Sequence, residues 1–537
     1  MFQPFGQQEI CRKGISSKAG AMGSEVLYPL TLKKIFNSLQ FCGGNFLSRK
    51  YTAQTRAKNH RFCVLCAPHP SVDSRGYVKK PPPTHPKFPP GVYDVLADRW
   101  FGRGRVLSKE QSTGFTAPLL DLLPQEKAQV QIGDDGLLRN ARIVQGSVQN
   151  PSPWRQIAPC PHANICPGCT LQHVTVEGRD DYQRALIAEV LQRFGGFAPE
   201  EIPAIEVRRG KEGDHRMRTK LWLRPDLPWT NENAAPTSVK GVVDTDDKID
   251  AWQVGMRQRD HKDAPLVDFS GCLANAAILR QAAERLQRLC LDGRAWQNLP
   301  TKDQWVEFAW DGHTLWMDTS AWSETLQQQA LLHMQASDTL GHFVQPAHTD
   351  APWTPVNPPM QQALYDAIFE SMEVRGKKIF DLTCADGGLT FALAEQGAEV
   401  WASDRYWPAV ERTRAQAEAR GMTNVHTRGG NAEAVLQGAA RRKEEVDVLI
   451  INPMREPVGE QTMHQVHQSG ASDLFYLAPA PKAGAKDLCI LRKLGWTIRR
   501  SDAFVLHPWT GQSMLFAHMQ KSSDTPPKER SGRVVEL

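Results

Sequence analysis

Three cysteines lie within ten residues of one another, at Cys160, Cys166 and Cys169. Proline and glycine between them bend the backbone, so the three thiolates can close on one metal centre. A fourth ligand is required, and Cys272 lies in a turn-like Ser-Gly-Cys-Leu context after a strand pattern. Ligation by cysteine alone suits an iron–sulfur cluster or a structural zinc ion, and the spacing does not choose between the two.

A second candidate site follows a short apolar strand at residues 379–382. The strand leads into a glycine-containing loop, 383–388, and the next predicted strand, 398–402, is followed by Asp404, 17 residues after Gly387. Glycines let the backbone approach a ligand, and an acid at the end of the second strand accepts hydrogen bonds from ribose hydroxyls. The phosphate-binding pattern GxGxxG is absent from this loop. A ligand without a pyrophosphate, such as S-adenosylmethionine, therefore fits better than NAD.

The rest of the chain divides into segments that must position these residues. Residues 91–150 carry short alternating apolar runs, which predict a small β-barrel. Residues 151–345, which contain the four cysteines, predict an α+β middle domain with strands at 218–223, 239–243 and 251–254 and a helix at 273–290. Strands alternate with helices over 346–520, which predicts a doubly wound parallel sheet and an α/β fold class. The last segment, 521–537, is predicted to be a disordered tail.

The N-terminal segment differs in charge from the rest. Residues 1–90 contain 14 Lys/Arg and 3 Asp/Glu, a net charge of +11; the whole chain carries +5, so residues 91–537 carry −6. A basic, acid-poor segment with an amphipathic stretch predicts an organellar transit peptide, mitochondrial or alternatively plastid, followed by a proline-rich linker. A basic arm that contacts RNA is the alternative. Cys63 and Cys66 are interpreted as incidental cysteines rather than half of a zinc site.

Composition excludes several classes of protein. Hydrophobic residues make up 41% and charged residues 23%, which excludes wholesale disorder. The apolar runs are all shorter than the roughly 18 residues of a membrane-spanning helix, so no membrane partner is expected. Eleven cysteines spread over a long chain do not form the dense pattern of a secreted disulfide framework.

The order of motifs resembles the S-adenosylmethionine-dependent RNA (uracil-C5) methyltransferase family, whose members methylate tRNA or rRNA. The three-cysteine motif, with Gln172 and His173 after it, matches the family's 4Fe-4S ligands, with Pro167 in place of a glycine. The resemblance covers roughly residues 97–520. It implies an N-terminal TRAM (OB-like) barrel that binds RNA, a 4Fe-4S cluster rather than zinc, and Cys272 as the fourth ligand.

The resemblance also extends to the C-terminal domain, where it implies a Rossmann-like fold that binds S-adenosylmethionine. Asp404 replaces the usual Glu, Asn431 stands where Asp is usual, and Pro355 stands where the family has Gln, with Gln345 as a substitute if the loop carries an insertion. Gly387 and Asp404 are retained as binding residues, whereas the departures at Ala385, Asn431 and Pro355 predict weakened cofactor binding. The cofactor-binding positions are predicted to be Asp381, Thr383, Ala385, Gly387, Asp404, Asn431 and Asn452.

The catalytic positions depart further from the family pattern. The family uses a cysteine that adds to carbon 6 of uracil and a glutamate that removes the proton from carbon 5. Pro479 occupies the nucleophile position and Met514 the base position, so no catalytic residue is predicted. Cys489 lies ten residues past the nucleophile position and is interpreted as a buried apolar helix residue.

These features predict an organellar RNA-binding protein built on a methyltransferase scaffold. It is expected to have lost uracil methylation and to act on rRNA or tRNA, in the organellar ribosome or its assembly intermediates. One alternative is an active methyltransferase that uses different chemistry. Another is a zinc-stabilised interaction protein without a role on RNA.

Overall fold

Three β-sheets make up the part of the chain that the computed structural model describes, residues 86–224, 253–259, 265–291, 302–347, 354–453 and 455–522. All of these residues belong to one unit, Pro83–Leu537. The predicted transit peptide with Cys63 and Cys66, a predicted strand at 239–243 and nearly all of the predicted tail lie outside the described residues. No helix in the described ranges has the length and apolar character needed to cross a membrane.

The strands, in chain order, are Gly91–Phe101 (β1), Arg105–Glu110 (β2), Thr116–Leu119 (β3), Lys127–Ile132 (β4), Arg142–Ile143 (β5), Glu206–Arg209 (β6), Arg218–Arg224 (β7), Gln253–Gly255 (β8), Gln304–Trp310 (β9), Leu315–Asp318 (β10), Val344–Pro346 (β11), Lys378–Asp381 (β12), Glu399–Asp404 (β13), Val425–Gly429 (β14), Val448–Ile451 (β15), Asp473–Ala478 (β16), Trp496–Val505 (β17) and Met514–Lys521 (β18). The α-helices are Val176–Arg193 (α1), Ala277–Leu291 (α2), Glu324–Gln335 (α3), Pro358–Ser371 (α4), Gly388–Glu395 (α5), Trp407–Ala419 (α6), Ala432–Arg441 (α7), Glu460–Gln468 (α8) and Pro481–Lys493 (α9).

The first sheet is antiparallel, with the order β3-β2-β1-β4-β5. Alternate residues of β2 and β4 point into an apolar core, as their sequence pattern predicts. The predicted barrel is a half-barrel, because β3 and β5 form its two edges in the described residues. Phe88 is only 8% exposed and packs into this core, so the folded body begins before residue 91, inside the predicted linker.

The second sheet has the order β11-β10-β9-β7-β8 and carries α2 and α3 on one face. Its inward residues, among them Leu221, Val306 and Phe308, are buried against these helices. The helix predicted at 273–290 begins later, at Ala277, because residues up to 276 form the turn that holds Cys272. This sheet and its helices form the predicted α+β middle domain.

The third sheet has eight strands in the order β14-β13-β12-β15-β16-β18-β17-β6. Strands β12 to β16 are parallel, and the strand order reverses between β12 and β15, which creates a crevice at their carboxyl ends. The predicted α/β class is confirmed. One boundary is corrected: β6, assigned from sequence to the middle domain, pairs in parallel with β17 and covers its edge.

Candidate functional site

Asp381 ends β12 and is 2% exposed. The Thr390 hydroxyl donates to its Oδ2 at 2.8 Å, and the Thr383 backbone N–H donates to Oδ1 at 3.3 Å. Burial raises the pKa of Asp381 to about 6, and the hydrogen bond from Thr390 opposes that rise. The structure therefore places this predicted cofactor residue beneath the loop, where its carboxylate fixes the loop's shape.

The glycine-containing loop has two residues in the left-handed region, Ala385 at φ 46° and Gly387 at φ 83°. A Cβ on Gly387 would lie 2.7 Å from the Phe391 ring and 2.9 Å from Thr413, so glycine is required there on steric grounds as well. Gly387 precedes the first residue of α5, and the N-terminal end of that helix points into the crevice. Without a side chain at Gly387, the backbone of this loop can come close to a small ligand.

Asp404 ends β13 at the same edge of the sheet. Its Oδ2 accepts the Ala385 N–H at 3.2 Å and its Oδ1 accepts the Tyr406 N–H at 2.8 Å. Each oxygen retains a further lone pair, and the side chain is only half-buried, so the carboxylate can also accept hydrogen bonds from a ligand. Two backbone donors thus fix the orientation of the Asp404 carboxylate at this edge of the sheet.

The two predicted asparagines lie at the edge but have structural partners. Asn431 is the N-cap of α7, and its Oδ1 accepts the Ala434 N–H at 2.9 Å. The Asn452 backbone N–H donates to Thr383 Oγ1 at 2.7 Å, which joins the end of β15 to the loop after β12. All seven predicted cofactor positions therefore meet at the carboxyl ends of β12 to β15. Gln345, the proposed substitute for Pro355, instead lies exposed on β11 in the second sheet.

Thr390 was missed at the sequence level. It is a buried polar residue in α5, whose other core-facing residues are apolar, and its hydroxyl bonds Asp381. A single threonine in an otherwise apolar helix next to a candidate loop is the signal that would have identified it.

Pro479 and Met514 adjoin the last pair of the β16–β18 ladder. That pair is Ala478 with Leu515; Pro479 follows Ala478, and Met514 precedes Leu515. Met514 is 5% exposed and packs in an apolar cluster with Leu477 and Phe516, whereas Pro479 is exposed at the carboxyl end of β16. These two positions are 35 residues apart in the sequence. The Pro479 ring provides no nucleophile, and the Met514 thioether provides no base.

The other late cysteines lie elsewhere. Cys489 is eight residues into α9, roughly 12 Å along the helix from its start, and faces Gly196 after α1. Cys384 lies in the loop after β12 but is buried against Ala402 and Val410, and burial raises the pKa of its thiol well above the usual range. Neither thiol lies at the Pro479 position.

The four predicted metal ligands come together between the second sheet and the segment before α1. Arg259 connects the two parts: its N–H donates to the Ile165 carbonyl at 2.9 Å and its Nη2 to the Ala163 carbonyl at 2.8 Å. Burial raises the pKa of Cys169 to about 12, and the neighbouring charges of Cys272 and Cys166 add to the rise. Burial also raises the pKa of the Cys160 and Cys166 thiols, and the charge of Cys272 adds to both rises.

Two N–H donors contact sulfurs of the predicted metal site. The Gly168 N–H and the Asn275 amide donate to the Cys166 and Cys272 sulfurs at 3.4 and 2.9 Å. In the described ranges, no group of three or more His, Cys, Asp or Glu side chains is arranged to hold a metal ion. A metal group at these four cysteines therefore stays a prediction.

A clamp joins the loop before Met514 to the first sheet and the cysteine segment. The Tyr182 hydroxyl donates to the Gly511 carbonyl and accepts the Gly104 N–H, both at 2.9 Å. The Gly511 N–H donates to Thr170 Oγ1 at 3.1 Å, and the Leu171 N–H donates to the Trp509 carbonyl at 2.9 Å. The loop just before Met514 is therefore fixed by three separate parts of the chain: the first sheet, the cysteine segment and α1.

The clamp gives a first testable prediction. A Cβ on Gly511 would clash with the backbone of Gly104 and Arg103, which cannot move as a flexible side chain can. We expect Gly511→Ala to lower the free energy of unfolding by about 1–3 kcal/mol or more, measured by urea denaturation. Gly102→Ala is the matched control, because its Cβ would meet open space. Equal stability of the two variants would contradict the clamp.

No protein-family model matches the chain. The 23S rRNA (uracil(1939)-C(5))-methyltransferase RlmD of Pseudomonas entomophila is 26% identical over 434 residues, covering 78% of this chain and 91% of the relative. An uncharacterized RNA methyltransferase of Halalkalibacterium halodurans is 21% identical over 435 residues, covering 73% and 88%.

The homologues of this chain are RNA methyltransferases, and uracil-C5 methyltransferases are among them. The crystal structure of Pyrococcus abyssi tRNA (uracil-54, C5)-methyltransferase in complex with S-adenosyl-L-homocysteine has the same fold, with a TM-score of 0.51 and 16% identity, covering 78% of this chain and 99% of that chain. The methyltransferase fold therefore extends over the described sheets and not only the C-terminal one.

Proposed function

We propose that this chain is an RNA-binding protein on an RNA (uracil-C5) methyltransferase scaffold that does not methylate uracil. The observation that carries the proposal is the presence of Pro479 and Met514 beside the last pair of the β16–β18 ladder, at the positions of the family's nucleophile and base. Carbon 5 of uracil is a poor nucleophile, and activating it requires a thiol that adds to carbon 6 and a base that removes the C5 proton. Proline and methionine can do neither.

The proposed partner is rRNA or tRNA. The relatives named above act, by their names, on 23S rRNA and on tRNA uracil. The net charge of +11 on residues 1–90 supports import into an organelle, the mitochondrion or alternatively the plastid. The protein would then act in the organellar ribosome or in its assembly intermediates.

Crosslinking in cells tests this partner. The full chain is crosslinked to RNA, and the bound RNA is purified from isolated organelles and sequenced. Reads concentrated in organellar rRNA or tRNA support the proposal. A fusion of residues 1–90 to a fluorescent protein that stays in the cytosol would contradict the organellar location.

The four cysteines are proposed to hold a 4Fe-4S cluster, with Cys160, Cys166 and Cys169 from one segment and Cys272 from the turn before α2. In this proposal the cluster would link the cysteine segment to the turn before α2, and it would take no part in catalysis. Arg259 supports the same junction by its hydrogen bonds to the Ala163 and Ile165 carbonyls.

S-adenosylmethionine is proposed to bind the crevice, but weakly. Asp404 is oriented for a ribose, whereas Asn431 caps a helix and Pro355 has no donor N–H. We expect Asp404→Ala to reduce affinity by about tenfold or more in calorimetry, because a hydrogen bond to a charged group is lost. Glu418→Ala, an exposed acid on α6, is the control and should bind as the unaltered protein does. Tight binding that survives Asp404→Ala would contradict this site.

The retained crevice favours one alternative function. A scaffold that keeps its loop after β12 and its Asp404 can position a methyl donor for an RNA atom that is already nucleophilic and needs no thiol. Methyl transfer to RNA at an atom other than uracil C5 would support this alternative.

A further inference from the structure

The loop between β17 and β18, residues 507–513, is continuous with the third sheet but is held from outside it. In the part of the chain that the structure describes, the hydrogen bonds that this loop makes beyond itself go to the cysteine segment, to α1 and to the segment after β6, residues 212–216. We call residues 507–513 the clamped loop. It runs directly into Met514, so its outside partners also set the position of the chain beside that residue.

Two of these partners come directly after a predicted metal ligand. Thr170 and Leu171 follow Cys169 in the sequence. Thr170 Oγ1 accepts the Gly511 N–H at 3.1 Å, and the Leu171 N–H donates to the Trp509 carbonyl at 2.9 Å. Because the three residues are consecutive, any displacement of Cys169 is passed directly to both hydrogen bonds.

The other half of the four-cysteine group has the same relation to the segment after β6. Leu273 is the residue after Cys272, and its carbonyl accepts the Asp214 N–H at 2.9 Å. Ala274 is the next residue, and its carbonyl accepts the Arg216 N–H at 2.9 Å. Each half of the group is therefore bonded, within two residues of a cysteine, to a segment outside it.

The clamped loop and the segment after β6 meet through aromatic rings. The centre of the His215 ring lies 6.3 Å from that of His507 and 6.2 Å from that of Trp509. Burial lowers the pKa of His215 to about 4 and that of His507 to about 3, so both rings are uncharged at neutral pH. The Trp509 Nε1–H also donates to Glu212 Oε2 at 3.1 Å. The two segments thus form one packed unit, with half of the four-cysteine group bonded to each.

We infer that the four-cysteine group acts as a metal-dependent switch for the clamped loop and the segment after β6. With a metal group on the four thiols the two segments are held. Without it the cysteine segment and the turn before α2 can move apart, and the hydrogen bonds to both segments are lost. Four thiols, two of which accept an N–H donor, suit an iron–sulfur cluster or a zinc ion, and the switch needs only one of them. The inference rests on the proposed metal site and adds what that site controls.

The cofactor crevice lies outside this unit. The Cys384 N–H donates to the Ser403 carbonyl at 2.9 Å and the Ala385 N–H to Asp404 Oδ2 at 3.2 Å, so β13 holds the loop after β12. Metal loss should therefore change the chain beside Met514 and leave the crevice intact. The region at the family's base position would respond to metal supply, whereas S-adenosylmethionine binding would not.

Amide hydrogen exchange of the full chain, resolved to single residues, measures the switch. The reporters are the four amides whose hydrogen bonds join the segments, those of Leu171, Asp214, Arg216 and Gly511. The Cys384 amide in the crevice is the reference. When a chelator removes the metal from the unaltered protein, the four reporters should exchange about tenfold faster or more, because each loses its partner, and the reference should keep its rate.

Variants separate the hydrogen bonds from the cysteines. Thr170→Val keeps the shape of the side chain but removes the acceptor, so the Gly511 amide should exchange about tenfold faster while the metal content stays unchanged. Thr170→Ser keeps the hydroxyl and is the matched control, with unchanged exchange. Cys272→Ser should lose metal and speed exchange at all four reporters, whereas Cys489→Ser should do neither.

The outcomes distinguish the switch from the proposed cluster. Metal-free protein whose reporters exchange at their original rates would overturn the switch and leave the metal site standing. Faster exchange over the whole chain, with the reference included, would also overturn it, because the metal would then stabilise the fold as a whole. Reporters that loosen on loss of bound zinc would support the switch and refute the 4Fe-4S cluster. Unaltered protein that holds no metal would refute both.

Discussion

Cys272→Ser is expected to reduce bound iron from about four atoms per chain to a small fraction of that. Serine is a poor ligand for a cluster, and Cys272 is the proposed ligand that would join the turn before α2 to the three-cysteine segment. Anaerobically purified protein should be brown, and iron and sulfide analysis measures the loss. Because the junction loses its cross-link, the variant should also be cleaved faster by protease between the first sheet and the middle domain.

Cys489→Ser is the matched control for this prediction. Cys489 is a partly exposed thiol on α9, outside the four-cysteine group, so its loss should leave iron content unchanged. Stoichiometric zinc without iron in the unaltered protein would contradict the cluster and favour a structural zinc site.

Pro479→Cys is expected to leave 5-methyluridine formation undetectable, although it restores a thiol at the nucleophile position. The base position is held by Met514, which is buried among apolar side chains and cannot remove the C5 proton. A missing general base alone costs about 10²–10⁴-fold in rate. Turnover is measured by nucleoside mass spectrometry after incubation with rRNA and S-adenosylmethionine.

Met514→Leu serves as the control for that variant, because it preserves the apolar contacts and should change neither folding nor the absence of turnover. 5-Methyluridine made by Pro479→Cys would show that another group supplies the base. The loss of activity would then rest on the nucleophile alone.

Local patterns predicted the parts of the site that depend on neighbouring residues. The spacing of Cys160, Cys166 and Cys169 and the run from a buried strand to Gly387 are set within about ten residues, where periodicity and turn chemistry act. Asp404 was identifiable because it ends the strand adjacent to β12.

Features that depend on distant pairing were not predictable in this way. The placement of β6 beside β17 joins residues almost 300 positions apart, and its short sequence fits either domain. The clamp at Gly511 requires knowing that Gly104 and Tyr182 reach the same point.

The most direct test of the proposed function is a methylation assay on the unaltered full chain. The protein is incubated with organellar rRNA and tRNA and with S-adenosylmethionine labelled in its methyl group, alongside Cys489→Ala and Asp404→Ala variants, and the RNA is digested to nucleosides. We expect no labelled 5-methyluridine from any of the three proteins, together with RNA binding that persists in all of them. Labelled 5-methyluridine from the unaltered protein, lost in Cys489→Ala, would contradict the proposal and assign the nucleophile to Cys489.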